Sequence, residues 1–259
     1  LATAVLSGTP TICANGTADL TLVLTGSGTI NVTLSDGTTI STTAGTRTIT
    51  VTPNTTPATY TIASVSDANG AGTGSGSGIV TTRASAAITT QPVSAVAINE
   101  GNSTTLSVGA TGAGLTYQWF KDGSAINTNG TGSTYTATLA GTYYVQVTGT
   151  CNVVSSSSSV VSVNIRPQGS LTGNTIQVGG TGTLTFTSSV GTAPFTIVYS
   201  VGGTQYTATN VANGVPFNVS VNPITTSTYT LVSVTDVNGS IRTTGFTGGT
   251  ATITVNALA

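Results

Sequence analysis

Few residues in this chain could do chemistry. The chain has 259 residues, with no histidine, two cysteines, five Lys and Arg, and six Asp and Glu. Without histidine, neither a Ser-His-Asp nor a Cys-His arrangement can be assembled. The six acids are Asp19, Asp36, Asp67, Glu100, Asp122 and Asp236. A glycosidase needs two carboxylates about 5–10 Å apart across one cleft. These acids are scattered along the sequence, so we predict that the protein is not an enzyme.

Residues 67–70 and 236–239 both read Asp-x-Asn-Gly and weakly resemble a calcium-binding loop. Calcium takes six to eight oxygen ligands, several of them from carboxylates. One Asp and one Asn in each segment supply too few. Asn-Gly instead favours a tight turn, because both residue types readily adopt positive φ. We therefore predict no metal ion and no cofactor.

Aromatic rings are the remaining means of binding a ligand. Trp119, the one tryptophan, stands in an alternating run and is predicted to face a core, so that Phe120 faces the opposite way. The tyrosines that the strand pattern constrains least are Tyr117, Tyr135, Tyr199 and Tyr206. Tyrosines on strands are more often half-buried than stacked on a ligand. A glycan-binding module with its site on the loops of one domain therefore stays an alternative function.

The composition excludes other partners. Charged residues make up 4% of the chain and the formal net charge is −1, which leaves no basic face for nucleic acid. The chain contains no run of about 18 apolar residues, the length that could insert into a membrane. The abundant β-branched residues favour strands over helices. The chain also starts without an initiator methionine, and we interpret it as a processed or excised part of a longer product.

The stretch from Leu115 to Cys151 has the clearest strand pattern. An alternating run around Trp119 is followed by a Lys-Asp-Gly turn, and Gly-Thr-Tyr-Tyr begins a second alternating run. This pattern is typical of an immunoglobulin-like (Ig-like) sandwich, with Trp119 on strand C and Tyr143 in a tyrosine corner before strand F. Val108 and Val145 take the places of the two core cysteines of antibody domains, so we predict that Trp119 packs against them.

An internal repeat sets the domain organisation. Residues 11–22 resemble residues 175–186, and residues 58–70 resemble residues 227–239. A duplication at this spacing indicates an array of homologous domains. We predict an all-β protein of three tandem Ig-like antiparallel sandwiches, at residues 1–86, 87–166 and 167–259. The first and third share one module type, and the second is the type with the strand-C Trp119.

A glycine-rich run, residues 70–78, lies between two of the predicted strands of the first segment. Its composition is that of a flexible linker. Its position instead favours a long hairpin loop or a Gly-rich last strand.

These residues carry a resemblance to a known group of proteins. The middle segment, with LTYQWFKDG and AGTYYVQVTGTC, resembles the Ig-like domains arrayed in large secreted proteins of Bacteroidota. The outer segments, with TICANGTADLTLVLTG and YTIASVSDANG, resemble a second module of the same proteins. The resemblance implies a cell-surface adhesin, of a kind that includes gliding-motility adhesins exported by the type IX system.

We therefore expect a structural and adhesive protein that forms part of an extracellular stalk or filament. The expected partners are copies of the chain or neighbouring Ig-like domains, joined end to end, and surface glycans are further candidates. We expect no nucleic acid and no membrane insertion.

The two cysteines give the sharpest prediction. Cys13 precedes the turn between strands A and B of the first segment, at the pole where the chain leaves that sandwich. Cys151 lies in the F–G loop of the second segment, at the pole where the chain enters that second sandwich, and in a head-to-tail array these two poles face each other. The equivalent places elsewhere hold Asn99, Gln177, Gly70 and Gly239. We predict a disulfide from Cys13 to Cys151 across the first junction. Two free buried thiols, or bonds to neighbouring subunits, are the alternatives, because connectivity cannot be read from sequence alone.

Overall fold

The structure, a computed structural model, describes residues 1–257, and every regular element in that range is a β-strand. The strands of the first third are β1 (Thr3–Ser7), β2 (Thr11–Cys13), β3 (Ala18–Thr25), β4 (Ile30–Leu34), β5 (Thr39–Thr42), β6 (Gly45–Val51), β7 (Ala58–Asp67), β8 (Gly70–Ala71) and β9 (Thr73–Arg83). The strands of the middle third are β10 (Ala87–Thr90), β11 (Ala95–Asn99), β12 (Thr104–Ser107), β13 (Gly109–Thr111), β14 (Thr116–Lys121), β15 (Ser124–Ala125), β16 (Thr134–Ala137), β17 (Gly141–Thr148), β18 (Val153–Ser155) and β19 (Ser159–Asn164). The strands of the last third are β20 (Gln168–Gly173), β21 (Thr175–Gln177), β22 (Thr183–Val190), β23 (Phe195–Val201), β24 (Thr204–Val211), β25 (Pro216–Asn218), β26 (Ser227–Thr235), β27 (Ile241–Arg242) and β28 (Thr250–Asn256). The prediction of an all-β chain is confirmed. Within residues 1–257 no helix is long and apolar enough to cross a membrane.

The alternating sequence pattern explains why these segments are strands. In β3 the buried side chains of Ala18, Leu20, Leu22 and Leu24 alternate with exposed ones without interruption. Successive side chains of a strand point to opposite faces, so this pattern covers one face of the strand with leucine. Burying each leucine contributes about 1.5–3 kcal/mol, and this term fixes the register.

The described chain forms two compact units. The first contains Leu1–Pro92, Ser107–Thr134 and Tyr144–Ser157. Its largest sheet has the strand order β5-β4-β7-β9-β1-β3-β6, with β2 paired to β9 and β8 to β7. β1 runs parallel to β9 and antiparallel to β3, which brings the start of the chain into the middle of this sheet.

Most of the glycine-rich run, residues 73–78, forms the start of β9, so this part is a Gly-rich strand rather than a loop, and residues 70–71 form β8. Gly76 has φ +79, and a Cβ atom at this position would lie 2.2 Å from the carbonyl oxygen of Leu6. A Cβ at Gly78 would lie 2.5 Å from the side chain of Leu20. β9 therefore needs glycine, because β1 and the leucine core approach its backbone too closely for any other side chain.

The rest of the first unit comes from the middle third of the chain. β10 pairs with β13, and β14 lies between β15 and β17. Residues 146–148 of β17 pair with β18. The hairpin formed by β17 and β18 carries Cys151 in its loop.

The second unit contains Val93–Leu106, Tyr135–Tyr143 and the chain from Ser158 to the end of the described range. β11 runs parallel to β19, and β19 pairs antiparallel with residues 141–143 of β17. Two further sheets have the strand orders β20-β22-β25 and β21-β28-β26-β23-β24, with β27 on β26. The core of these two sheets includes the aromatic residues Phe186, Phe195, Tyr199 and Tyr229. The predicted domain boundaries at 86 and 166 remain a prediction.

Candidate functional site

The candidate site consists of the two cysteines and the residues around them, and β2 positions the first, Cys13. Cys13 is the last residue of β2 and is paired in parallel with Arg83, the last residue of β9. The next residue extends this pairing, because the N–H of Ala14 donates to the carbonyl of Arg83 at 3.0 Å. A turn follows, in which Asn15 has φ 64 and the N–H of Gly16 donates to the carbonyl of Cys13 at 3.1 Å. Cys13 is therefore fixed beside the point where β9 ends.

Cys151 is held by the loop between β17 and β18. The N–H of Gly149 donates to the carbonyl of Asn152 at 2.8 Å and closes this loop. Thr150 donates to the carbonyl of Ala113 twice, from its N–H at 2.9 Å and from its hydroxyl at 3.0 Å. These bonds orient the residue between them, Cys151.

The structure joins the two cysteines in a disulfide. Their Sγ atoms are 2.02 Å apart and their Cα atoms 5.6 Å apart, across a sequence separation of 138 residues. Both residues are half-buried, so the bond can be reached from solvent. Within the described part of the chain no cysteine is free.

A pair of hydrogen bonds from the side chain of Asn152 lies next to the disulfide, and the sequence did not predict it. The Oδ1 atom of Asn152 accepts from the N–H of Ala86 at 2.6 Å, and its Nδ2 donates to the carbonyl of Ala86 at 3.0 Å. One side-chain amide thus satisfies both backbone groups of one residue, which is only 3% exposed. The sequence offers no signal for this role, because an asparagine in a hairpin loop is usually a turn former.

Two glycines leave room for Ala86 beside the Asn152 amide. A Cβ atom at Gly112 would lie 2.8 Å from the Cα of Ala86, and one at Gly149 would lie 3.0 Å from its Cβ. The N–H of Ala113 also donates to the carbonyl of Ala84 at 3.1 Å. Residues 84–86, which connect β9 to β10, are therefore held by backbone and amide hydrogen bonds, and the disulfide lies just before them, where Cys13 pairs with Arg83.

The predicted core residues of the middle segment are buried. Trp119 is fully buried and its Nε1–H donates to the carbonyl of Gly132 at 2.9 Å. Val108 is 7% exposed and Val145 is fully buried, both in the same unit as Trp119.

Tyr143 belongs to the second unit and is 1% exposed. Its hydroxyl donates to the carbonyl of Leu139 at 2.9 Å, a residue four positions upstream. This is the hydrogen bond that a tyrosine corner requires.

In the second unit, a loop with the same Asp-x-Asn-Gly sequence holds the segment that connects β19 to β20. Asp236 accepts from the N–H groups of Asn238 and Ser240, each at 3.0 Å. The hydroxyl of Ser240 donates to the carbonyl of Asn164 at 2.9 Å. The Nε–H of Arg242 donates to the carbonyl of Pro167 at 2.6 Å. This connection has hydrogen bonds where the first has a disulfide.

In the first unit the corresponding loop is a tight turn. The N–H of Asn69 donates to Oδ1 of Asp67 at 2.9 Å, and this bond is the main cause that lowers the pKa of the Asp67 carboxyl. Among residues 1–257 no three His, Cys, Asp or Glu side chains lie close enough together to hold a metal ion.

Of the four tyrosines that the strand pattern constrains least, one is buried and three are half-buried. Tyr199 is only 1% exposed, and its hydroxyl accepts from the N–H of Ser220 at 2.9 Å, so its interpretation as one of the least constrained tyrosines, a candidate for stacking on a ligand, is wrong. The alternation that placed it on a strand did not reveal which face is buried. Tyr117, Tyr135 and Tyr206 are half-buried.

Phe120 and Tyr144 form an aromatic pair on the face of β14 and β17 opposite to the buried Trp119 and Val145. The rings of Phe120 and Tyr144 are stacked, with centroids 4.8 Å apart and an interplanar angle of 2°. Both are half-buried, and they alternate along their strands with the buried Trp119 and Val145.

Comparisons with known proteins agree with this architecture. Residues 86–167 match the family model described as "Ig-like domain CHU_C associated". No curated protein matches the sequence.

Among solved structures, the I-band fragment I67–I69 of titin is similar over 97% of this chain and 96% of its own, with 14% identity and a TM-score of 0.53. An E-to-A variant of the same three-domain fragment covers 98% of this chain and 96% of its own, with 14% identity and a TM-score of 0.52. The chain therefore has the fold of tandem Ig-like domains.

Proposed function

We propose that this chain is a load-bearing segment of an extracellular stalk or filament, part of a cell-surface adhesin of Bacteroidota exported by the type IX system. Tandem Ig-like domains are consistent with a structural or adhesive extracellular module. The observation that carries the proposal is that the β9–β10 connection is bridged twice: the Cys13–Cys151 disulfide joins β2 to the β17–β18 loop, and the Asn152 amide of that loop holds Ala86. A connection held in this way resists bending, as a stalk requires.

The disulfide supports the extracellular part of the proposal. Disulfides persist in oxidising compartments and are rare in reducing ones. The family matched by residues 86–167 is associated with Bacteroidota, as is the group of proteins that the sequence resembles. The proposed partners are copies of the chain or other Ig-like domains joined end to end.

The composition supports the same role. With 4% charged residues and a net charge of −1, little charge repulsion opposes end-to-end association. Few groups titrate, and few ion pairs depend on salt. Such a segment keeps its mechanical properties across the salt and pH range that a cell surface meets.

Locating the native protein on cells tests this function. Antibodies against residues 1–257 should label intact cells by immunogold electron microscopy, and protease treatment of intact cells should remove the label. Deleting the coding region should reduce attachment of the cells to a surface, and a plasmid copy should restore it. Label confined to permeabilised cells, or unchanged attachment after deletion, would reject the proposal.

A glycan-binding module is the second candidate, and the stacked pair of Phe120 and Tyr144 is the observation that favours it. Exposed ring faces can stack on sugars through their apolar surface. A glycan array probed with the whole chain decides this candidate. Binding that is lost in Tyr144→Ala but kept in Asn127→Ala supports it, and no binding at all removes it.

A further inference from the structure

The disulfide closes a covalent loop around a large part of the chain. Its two ends are 138 positions apart, and residues 14–150 lie between them. That range contains every strand from β3 to β17. Only β1 and most of β2 precede the loop, and the chain from Asn152 onward follows it.

Tension applied to the ends of the chain has two paths between Cys13 and Cys151. One is the backbone of residues 14–150, and the other is the Cys13–Cys151 bond, which holds the two Cα atoms 5.6 Å apart. The short covalent path stays taut, so the longer path carries no extension. This holds even after β1 has separated from β3 and β9, because peeling β1 away leaves the bond intact.

We propose that the Cys13–Cys151 disulfide diverts tension around residues 14–150, so that these strands cannot be extended until the bond is reduced. This proposal rests on the proposed load-bearing function, and it identifies the bond as the element that regulates how far the segment stretches. The hidden chain is long, because each extended residue spans about 3.3–3.6 Å. Reduction would release about 450–500 Å of contour length.

The chemistry of release is ordinary thiol–disulfide exchange. A small-molecule thiolate attacks one Sγ atom and the other leaves as a thiolate; a second thiol then resolves the mixed disulfide. In the net reaction two thiols are oxidised to one disulfide, and Cys13 and Cys151 take up two electrons and two protons. Both residues are half-buried rather than enclosed, so a small thiol can reach the bond.

Single-molecule force spectroscopy tests this proposal on the whole chain, held by handles at both ends. We expect the unreduced protein to reach a total contour length of about 400–440 Å before detachment. The same protein in dithiothreitol should reach about 850–930 Å, roughly a two-fold increase. The variant with both Cys13→Ser and Cys151→Ser should reach the longer value with or without dithiothreitol.

The Asn152→Ala variant is the matched control, because it removes the neighbouring hydrogen bonds and leaves the bond in place. It should keep the short contour length and the response to dithiothreitol. If the double-serine variant does not fold, the comparison of the wild-type chain with and without reductant decides alone. Unreduced wild-type chains that extend to the longer value would overturn the proposal.

The outcome is separable from that of the proposed function. A protein that is absent from the cell surface but doubles in length on reduction refutes the proposed function and keeps the diverted load path. A surface protein that reaches its full length without reduction does the opposite.

Discussion

Asn152 makes both of its side-chain amide hydrogen bonds to a single residue, accepting from the N–H of Ala86 at 2.6 Å and donating to its carbonyl at 3.0 Å. This pairing imitates one rung of a β-ladder with a side chain. Ala86 is 3% exposed, so its N–H and C=O depend on the amide for their hydrogen bonds. The cost of losing Asn152 is therefore that of leaving a buried N–H and C=O unsatisfied.

We expect Asn152→Ala to lower the free energy of unfolding by about 2–6 kcal/mol, from two unsatisfied buried groups at about 1–3 kcal/mol each. Urea denaturation monitored by the fluorescence of Trp119, the one tryptophan, measures this loss. The exposed Asn127→Ala is the control and should change stability by less than about 0.5 kcal/mol. Equal effects of the two substitutions would contradict this role of Asn152.

The same substitution should expose the Arg83–Ala84 peptide bond. Arg83 is exposed, but its carbonyl accepts from the N–H of Ala14 and the adjoining segment is fastened. Trypsin should cut the native wild-type chain slowly at this bond and the Asn152→Ala variant faster. Mass spectrometry of the fragments identifies the cut, and unchanged kinetics would show that the hydrogen bonds do not restrain the segment.

Trp119→Ala should be among the most damaging substitutions. The side chain is fully buried and its Nε1–H is bonded to Gly132, so we expect a loss of about 3–5 kcal/mol, measured by circular dichroism in urea. Phe120→Ala, on the opposite face of the same strand, should cost less than half of that. A cost below about 1 kcal/mol for Trp119→Ala would contradict its place in the core.

Tyr143→Phe isolates the hydrogen bond of the tyrosine corner. Removing the hydroxyl that donates to Leu139 should cost about 0.5–1.5 kcal/mol, while the ring keeps its buried place. The neighbouring Tyr144→Phe is the matched control, since its ring lies on the other face, and it should be close to neutral. Thermal unfolding of the two variants side by side gives the difference.

Breaking the disulfide should destabilise the chain even without applied force. A closed loop of this length restricts the unfolded chain by an entropy worth up to about 5 kcal/mol. We expect the variant with both Cys13→Ser and Cys151→Ser to lose part or all of this amount in urea denaturation. Non-reducing peptide mapping of the wild type provides the check, and two alkylatable thiols there would refute the bond itself.

The pH dependence of stability should be flat through the neutral range, because the chain has no histidine and both cysteines are bonded. The hydrogen bond from Asn69 lowers the pKa of Asp67, so its contribution is present above the ordinary carboxyl range and is lost as the pH falls through the lowered value. Burial is the main cause that raises the pKa of both Tyr60 and Tyr229. The unfolded chain therefore ionises first, and stability falls as the pH rises past about 10.

Thermal unfolding between pH 2 and pH 11 measures this profile. Asp67→Asn is the control for the acid limb, because it keeps an oxygen for the turn but cannot titrate. It should flatten the decline at low pH and leave the alkaline limb unchanged. A midpoint temperature of unfolding that drops between pH 6 and pH 8 would contradict this pH profile.

Strand periodicity was enough to predict the fold class, because alternation of apolar and polar side chains distinguishes a strand from a helix, as in β3. The pairing of Cys13 with Cys151 followed from which pole of a sandwich each loop occupies, and the structure places their sulfur atoms within bonding distance. The role of Asn152 could not be predicted in this way. Its partner is the backbone of Ala86, and residue types do not indicate where a backbone group is hydrogen-bonded. The burial of Tyr199 was not predicted, because alternation along a strand separates two faces but does not identify the face that the second sheet covers.

The close approach of β1 and the core to β9 has a consequence for how such a sequence can change over evolutionary time. Over most of this Thr- and Ser-rich chain, one small polar or β-branched residue can replace another with little effect on an exposed strand face. Gly74, Gly76 and Gly78 have no such freedom, because a Cβ atom at any of them would lie within 2.5 Å of a neighbouring side chain or carbonyl. In a lineage whose sequence drifts widely, this alternating glycine spacing is the mark that should persist longest.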